Sequence, residues 1–120
     1  MNMEKYGMVE VVNDIIPFKG YKALTILKWI FTRKKSALDQ STYTHEAIHY
    51  MQQKETLLLG FLLLYSIEYL IKLLCTFNHN RAYKSISFEQ EAYKFMGFKN
   101  YPNERDSYYW VKYIFLLVDK

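Results

Sequence analysis

His45-Glu46-Ala47-Ile48-His49 carries two imidazoles four positions apart, with a carboxylate beside the first. On a helix, residues four apart stand one turn above each other, so both rings project from the same face. Two neutral imidazoles a turn apart can grip one divalent ion, most often zinc. Glu46 sits one position round, poorly placed as a ligand but near enough to take a proton from a water beside the ion. With three His and eight Glu in 120 residues, shuffling yields this pattern in roughly one chain in three hundred, so the motif is moderately specific. The plain alternative is a surface helix on which two histidines happen to stack.

A catalytic zinc needs three protein donors and one open position. The carboxylates beyond His49 are Glu55, Glu68, Glu89, Glu91, Glu104, Asp106 and Asp119. Glu55 and Glu68 follow on the same or an adjoining helix and point along it, away from an ion beside His45 and His49. Phe88-Glu89-Gln90-Glu91-Ala92-Tyr93 stands out because two carboxylates interrupt an apolar and aromatic stretch. Positions i and i+2 face nearly opposite ways on a helix, so only one of the two can reach an ion. Two solvent-facing charges explain the pair equally well from periodicity alone. His79, between Asn78 and Asn80, reads as a solvated loop residue.

The elements that must position these groups follow from pattern. Asp39 to Thr42 offers capping oxygens for a helix that carries His45, His49, Gln52 and Thr56 on one face and Ala47, Ile48 and Met51 on another. From Leu57 to Phe77 the chain is apolar on nearly every side, long enough to cross a bilayer. Glu68 and Lys72, spaced i, i+4, favour a buried central helix or one lying against a membrane surface over a true span. Tyr83 to Gly97 reads as a further helix, and Glu104 to Val118 as a last amphipathic one. Upstream, Val9 to Ile16 reads as a loop or short strand, closed by Pro17 and Gly20. Tyr21 to Arg33 has mixed periodicity that leans toward strand, and Ser36 to Gln40 is turn-like.

Composition bounds the rest. The chain is expected to form one domain over 1–120, with 51% hydrophobic and 18% aromatic residues, which is globular rather than disordered. The net charge is +4, but the only basic run is Arg33-Lys34-Lys35, read as a solvated turn, and no nucleic acid is expected as partner. Cys75 is the single cysteine and reads as a small apolar core residue. No basic segment leads into an apolar run in Met1 to Gly20, so a cytoplasmic placement is expected, with peripheral membrane contact through 57–77 as a variant of it.

His45-Glu46-x-x-His49 with Glu89-x-x-Ala92 downstream resembles the zincin metallopeptidases of the gluzincin type, most closely the E-x-x-A-D pattern of the prenyl-protein endopeptidase and heat-shock membrane protease families. A wider similarity is to a group of small bacterial proteins in which H-E-x-x-H is followed by glutamines, here Gln52 and Gln53, an apolar helix and I-S-F-E-x-E-A-Y, here Ile86 to Tyr93. The resemblance implies an α+β, mainly α, zincin-like domain. Its parts are a small N-terminal hairpin or sheet, the H-E-x-x-H helix, a long apolar helix, a Glu-bearing helix and a C-terminal helix. It implies Zn2+ on His45, His49 and Glu89, with Glu91 a spacer and Glu46 the general base of peptide-bond hydrolysis on a peptide or protein substrate. Tyr93 stands where the pattern has the Asp that orients a ligand histidine. A Tyr hydroxyl replaces that role only in part, or else steadies an oxyanion, with Tyr83 and Tyr101 as further candidates. The alternatives are a zincin-like protein that binds metal without turnover and a helical module that joins a membrane or partner through 57–77.

Overall fold

The computed structural model describes residues 6–13, 15, 23–33 and 38–119. Lys34, Lys35, Ser36, Pro17 and Gly20, read above as turns, lie outside the described residues. The architecture is α+β and mainly helical, a small sheet followed by helices.

Three strands form the sheet, β1 (Val9–Val12), β2 (Ala23–Ile26) and β3 (Trp29–Thr32), in the order β1-β3-β2. The mixed pattern of 21–33 resolves into an antiparallel hairpin, with Thr25 opposite Ile30, while β1 runs parallel to β3. Leu27 makes the tight turn at a positive φ of 51°. Its amide donates to Gln53 Oε1 and the Gln53 amide donates to Thr25 O at 2.8 Å, which tethers the hairpin to the first helix. β2 is thus an edge strand laid beside that helix.

The first helix, α1, spans Gln40–Thr76. Asp39 caps it as expected, its carboxylate accepting from the Thr42 amide at 2.8 Å. The helix breaks at Leu57 (φ 57°, ψ 155°) into a proximal arm, 40–56, and a distal arm, 58–76. The Thr56 hydroxyl is shared between the Gln52 and Leu57 carbonyls there. The proximal arm is buried on most sides, with Tyr43 and Ala47 in a core with Tyr6, Met8 and Ile30. By length and composition α1 is the one helix among the described residues apolar enough to cross a membrane.

Of the two expectations for 57–77, a buried central helix or one lying against a membrane surface, the distal arm departs from the first. Phe61 is buried, whereas Leu59, Leu63, Ile67, Leu70 and Leu74 are exposed. Cys75, expected in the core, is exposed as well. The inward side packs Phe61 on Phe88 (4.4 Å between ring centres), in a second core with Ile86 and Trp110.

The helix expected over Tyr83–Gly97 is two, α2 (His79–Ser85) and α3 (Ser87–Phe95), divided by an extended Ile86 at ψ 134°. Glu68 explains the division. Its carboxylate accepts from the Ser87 amide at 2.9 Å and the Ser87 hydroxyl at 2.5 Å, placing a negative charge at the start of α3. Lys72 pairs with Glu68 at 2.9 Å and donates to the Ser85 carbonyl. Both charges of the apolar run therefore turn inward to fix the α2–α3 joint.

The last helix expected, over Glu104–Val118, is absent as such. Short α4 (Tyr101–Glu104) and a 3-10 turn (Tyr109–Tyr113) stand there. Glu55 binds Arg105 Nη1 (2.9 Å), the Tyr108 amide (2.7 Å) and Trp110 Nε1 (3.3 Å), and Tyr108 takes a positive φ of 59°. Backbone that would have been helical is held instead by this carboxylate.

Candidate metal centre

His45 and His49 lie on the proximal arm one turn apart, their rings edge to face at 4.8 Å. Glu89 reaches them from the first turn of α3. Its Oε1 is 3.0 Å from His45 Nε2 and 3.1 Å from His49 Nε2, and the two Nε2 atoms are 3.2 Å apart. All three side chains are buried. Both carboxylates left open as solvent-facing charges are in fact buried, and only Glu89 meets the histidines.

Three donors in a near-equilateral triangle suit one ion. Tetrahedral zinc with bonds of ~2.0–2.1 Å separates its ligand atoms by roughly 3.3 Å. The electrostatics agree with the geometry. Burial pushes the His49 imidazole down, but the Glu89 charge and hydrogen bond, with Glu46 and Gln52, outweigh it and lift the pKa to about 9. Burial likewise acts to raise Glu89, yet His49 and His45 hold it well below the usual carboxylate range. The pocket therefore favours a positive charge at this point.

The surrounding contacts orient the donors. Gln52 Oε1 lies 2.8 Å from His49 Nδ1, which aims Nε2 at the triangle when Nδ1 carries the proton. The Gln52 amide donates to Phe88 O at 3.0 Å and Glu91 Oε1 at 2.9 Å, and Arg105 in turn holds Glu91 through Nε at 2.6 Å. Glu91, expected to be a spacer, is thus a fully buried link in a His49–Gln52–Glu91–Arg105 chain. The orienting role expected of a residue at 93 falls here to Gln52.

Glu46 stands beside the triangle and lines the same cleft as His49 and Glu89. The Thr25 hydroxyl of β2 donates to its Oε1 at 2.6 Å, fixing the carboxylate. Tyr65, on the distal arm, donates to Glu89 Oε2 at 2.6 Å. Burial, followed by the Glu89 charge, raises the Tyr65 hydroxyl well above its ordinary value, so it stays a donor.

Tyr93 stacks edge-on against His45 at 4.5 Å between ring centres and is partly exposed. Tyr83 is hydrogen-bonded to Tyr93 and lines the cleft, its pKa raised by burial and by Glu89. Tyr101 is elsewhere, donating to Glu91 Oε2 at 2.8 Å. His79 is also remote, 2.8 Å from the Tyr69 hydroxyl. Thr25 and Tyr65 escaped the sequence reading. Phe61, Tyr65, Tyr69 and Lys72 recur at three- or four-residue steps, a stripe that marks the inward side and could have flagged Tyr65.

The cleft runs along β2, from Ala23 to Ile26, and is bounded across by Phe61, Leu62, Tyr65 and Ser66. Its walls are apolar and its floor carries His49, Glu46 and Glu89. No protein-family model matches this chain, and no curated protein or solved structure matches it either.

Proposed function

We propose that the protein is a zinc-dependent hydrolase of peptide bonds, with His45, His49 and Glu89 holding the ion and Glu46 as general base. The observation that carries this reading is the convergence of two imidazole nitrogens and one carboxylate oxygen in a buried triangle, with a second carboxylate beside it in an open cleft. Zinc in such a donor set supplies Lewis acidity and makes a water nucleophilic near neutral pH. Glu46 would take a proton from the water that attacks the carbonyl carbon and pass it to the amine that leaves as the C–N bond breaks. Thr25 keeps the Glu46 carboxylate in one orientation during both transfers. Tyr83 stands at the cleft as a hydroxyl donor for developing negative charge on the carbonyl oxygen, with Tyr93 beside it against His45 on the far side of Glu46.

A polypeptide substrate is supported by β2. Among the described residues this strand pairs only with β3, so its other edge, along the cleft, can meet an extended backbone at positions other than Thr25 O, which the Gln53 amide already holds. The resemblance to gluzincins agrees with this chemistry, and the donor geometry stands without it.

Glu46→Gln tests the reading, because it keeps the shape and removes the base. Zinc content should stay near wild type while cleavage of a broad peptide library falls about 10²–10⁴-fold. Cleavage unchanged in Glu46→Gln would mean that another group is the base.

A further inference from the structure

Residues 57–77, the distal arm with Leu57 and Phe77 at its ends, present an outward face without a charge. The exposed side chains there are ten large apolar ones with Ser66 and Cys75, while Glu68 and Lys72 turn inward. The Ser66 hydroxyl is satisfied within the helix, on Leu62 O at 2.8 Å. At about 100° per residue the exposed positions cover roughly 220° of the circumference. One partner helix covers about 100° of such a surface, so a second copy packing helix to helix would leave more than half of it in water. A fluid apolar phase covers all of it.

We propose that this face docks on an anionic lipid bilayer with the distal arm lying along the surface. We further infer that the cleft, opening beside the arm, receives polypeptide held at the membrane; this second part rests on the hydrolase reading. The arm is about 29 Å long at 1.5 Å per residue, yet its inward side is fastened to α2, α3 and the 3-10 turn from Phe61 to Lys72. A full span would carry Lys84 and Lys94 of those elements into hydrocarbon, which is costly, whereas a flat arm leaves them in water. The net charge of +4 complements anionic headgroups. Leu62 and Ser66 belong to the outward face and also line the cleft, so the mouth of the site adjoins the docked surface.

The test is flotation of the zinc-loaded full chain with phosphatidylcholine vesicles containing about a quarter phosphatidylglycerol. Wild type should float and be released by alkaline carbonate. Leu63→Gln/Leu70→Gln/Leu74→Gln, verified as folded by its zinc content and circular dichroism, should partition roughly tenfold less for each leucine withdrawn from the apolar phase. Val12→Gln, at an exposed position on β1, should float like wild type. Failure of wild type to float, or equal flotation of the triple variant, overturns docking. Resistance to carbonate overturns the flat arm in favour of a span. A dimer that forms in place of flotation and dissociates in the triple variant overturns lipid in favour of a second copy. For the cleft, a library peptide carrying an acyl anchor on vesicles should be cleaved at least about tenfold faster than the same peptide unanchored. Equal rates overturn the second part alone. Flotation without cleavage of either peptide overturns the hydrolase reading and leaves docking in place.

Discussion

Glu89 and Glu91 are two residues apart and both buried, yet they do opposite work. Glu89 joins the histidines, while Glu91 neutralises Arg105, whose side chain is only 4% exposed. Glu91→Ala would leave Arg105 with Glu55 alone, and removal of one partner from a buried pair costs about 3 kcal/mol. That loss should be visible in urea unfolding of the chelator-treated protein. Gln52→Leu removes the acceptor at His49 Nδ1, and loss of such an outer contact typically weakens metal affinity about 10–100-fold; competition with a chromogenic chelator measures it. At this scale the sequence was legible where spacing dictates direction. His45 and His49 share a face by the four-residue interval, and the i, i+2 rule separates Glu89 from Glu91. It was silent on Thr25 and Tyr65, because neither Thr25 to Glu46 nor Tyr65 to Glu89 has a local pattern to betray it. The chain from Gln52 through Glu91 to Arg105 spans 53 positions and exists only once α1, α3 and α4 have packed.

Among the elements, α1 carries the design. Its proximal arm supplies the histidines, its distal arm supplies Tyr65 and the docking face, and the break at Leu57 sets the angle between them. Leu57 lies in a region of backbone space that glycine alone occupies without strain, at a cost of about 1–3 kcal/mol for other residues. Leu57→Gly should therefore raise the thermal midpoint by a few degrees, roughly 3 °C per kcal/mol gained in a chain of this size, as read by calorimetry. A lowered midpoint would mean that the exposed Leu57 side chain matters more than the strain. The Asp39 cap and the lean of 21–33 toward strand were readable from local chemistry, while the hairpin was what the resemblance implied. The division at Ile86 and the loss of the final helix were not, since Glu68 and Glu55 impose them from 19 and 53 positions away. Glu68, paired with Lys72 along its own helix as the spacing suggests, also caps the start of α3, and Glu55 holds the Tyr108 amide.

On the scale of the whole molecule, two cores flank one buried ligand set: sheet against the proximal arm on one side, the distal arm against α3 and Trp110 on the other. The cleft lies at their junction, which is why β2, both arms of α1 and α3 all contribute to it. The mainly helical α+β architecture was what the resemblance implied, whereas the apolar run 57–77 left open a buried helix or one lying against a membrane surface, and its outward side proves exposed. A run apolar all round says only that the helix avoids water, and neither core nor lipid can be assigned from it. The central claim is that the buried triangle is a metal site. Native mass spectrometry of protein purified without a metal-affinity resin and offered one equivalent of zinc tests it directly. Wild type and Glu46→Gln should each carry one ion per chain, whereas His45→Ala and Glu89→Ala should carry none and Glu91→Ala should retain it. Wild type without zinc under these conditions, or Glu89→Ala binding as tightly as wild type, would contradict the account.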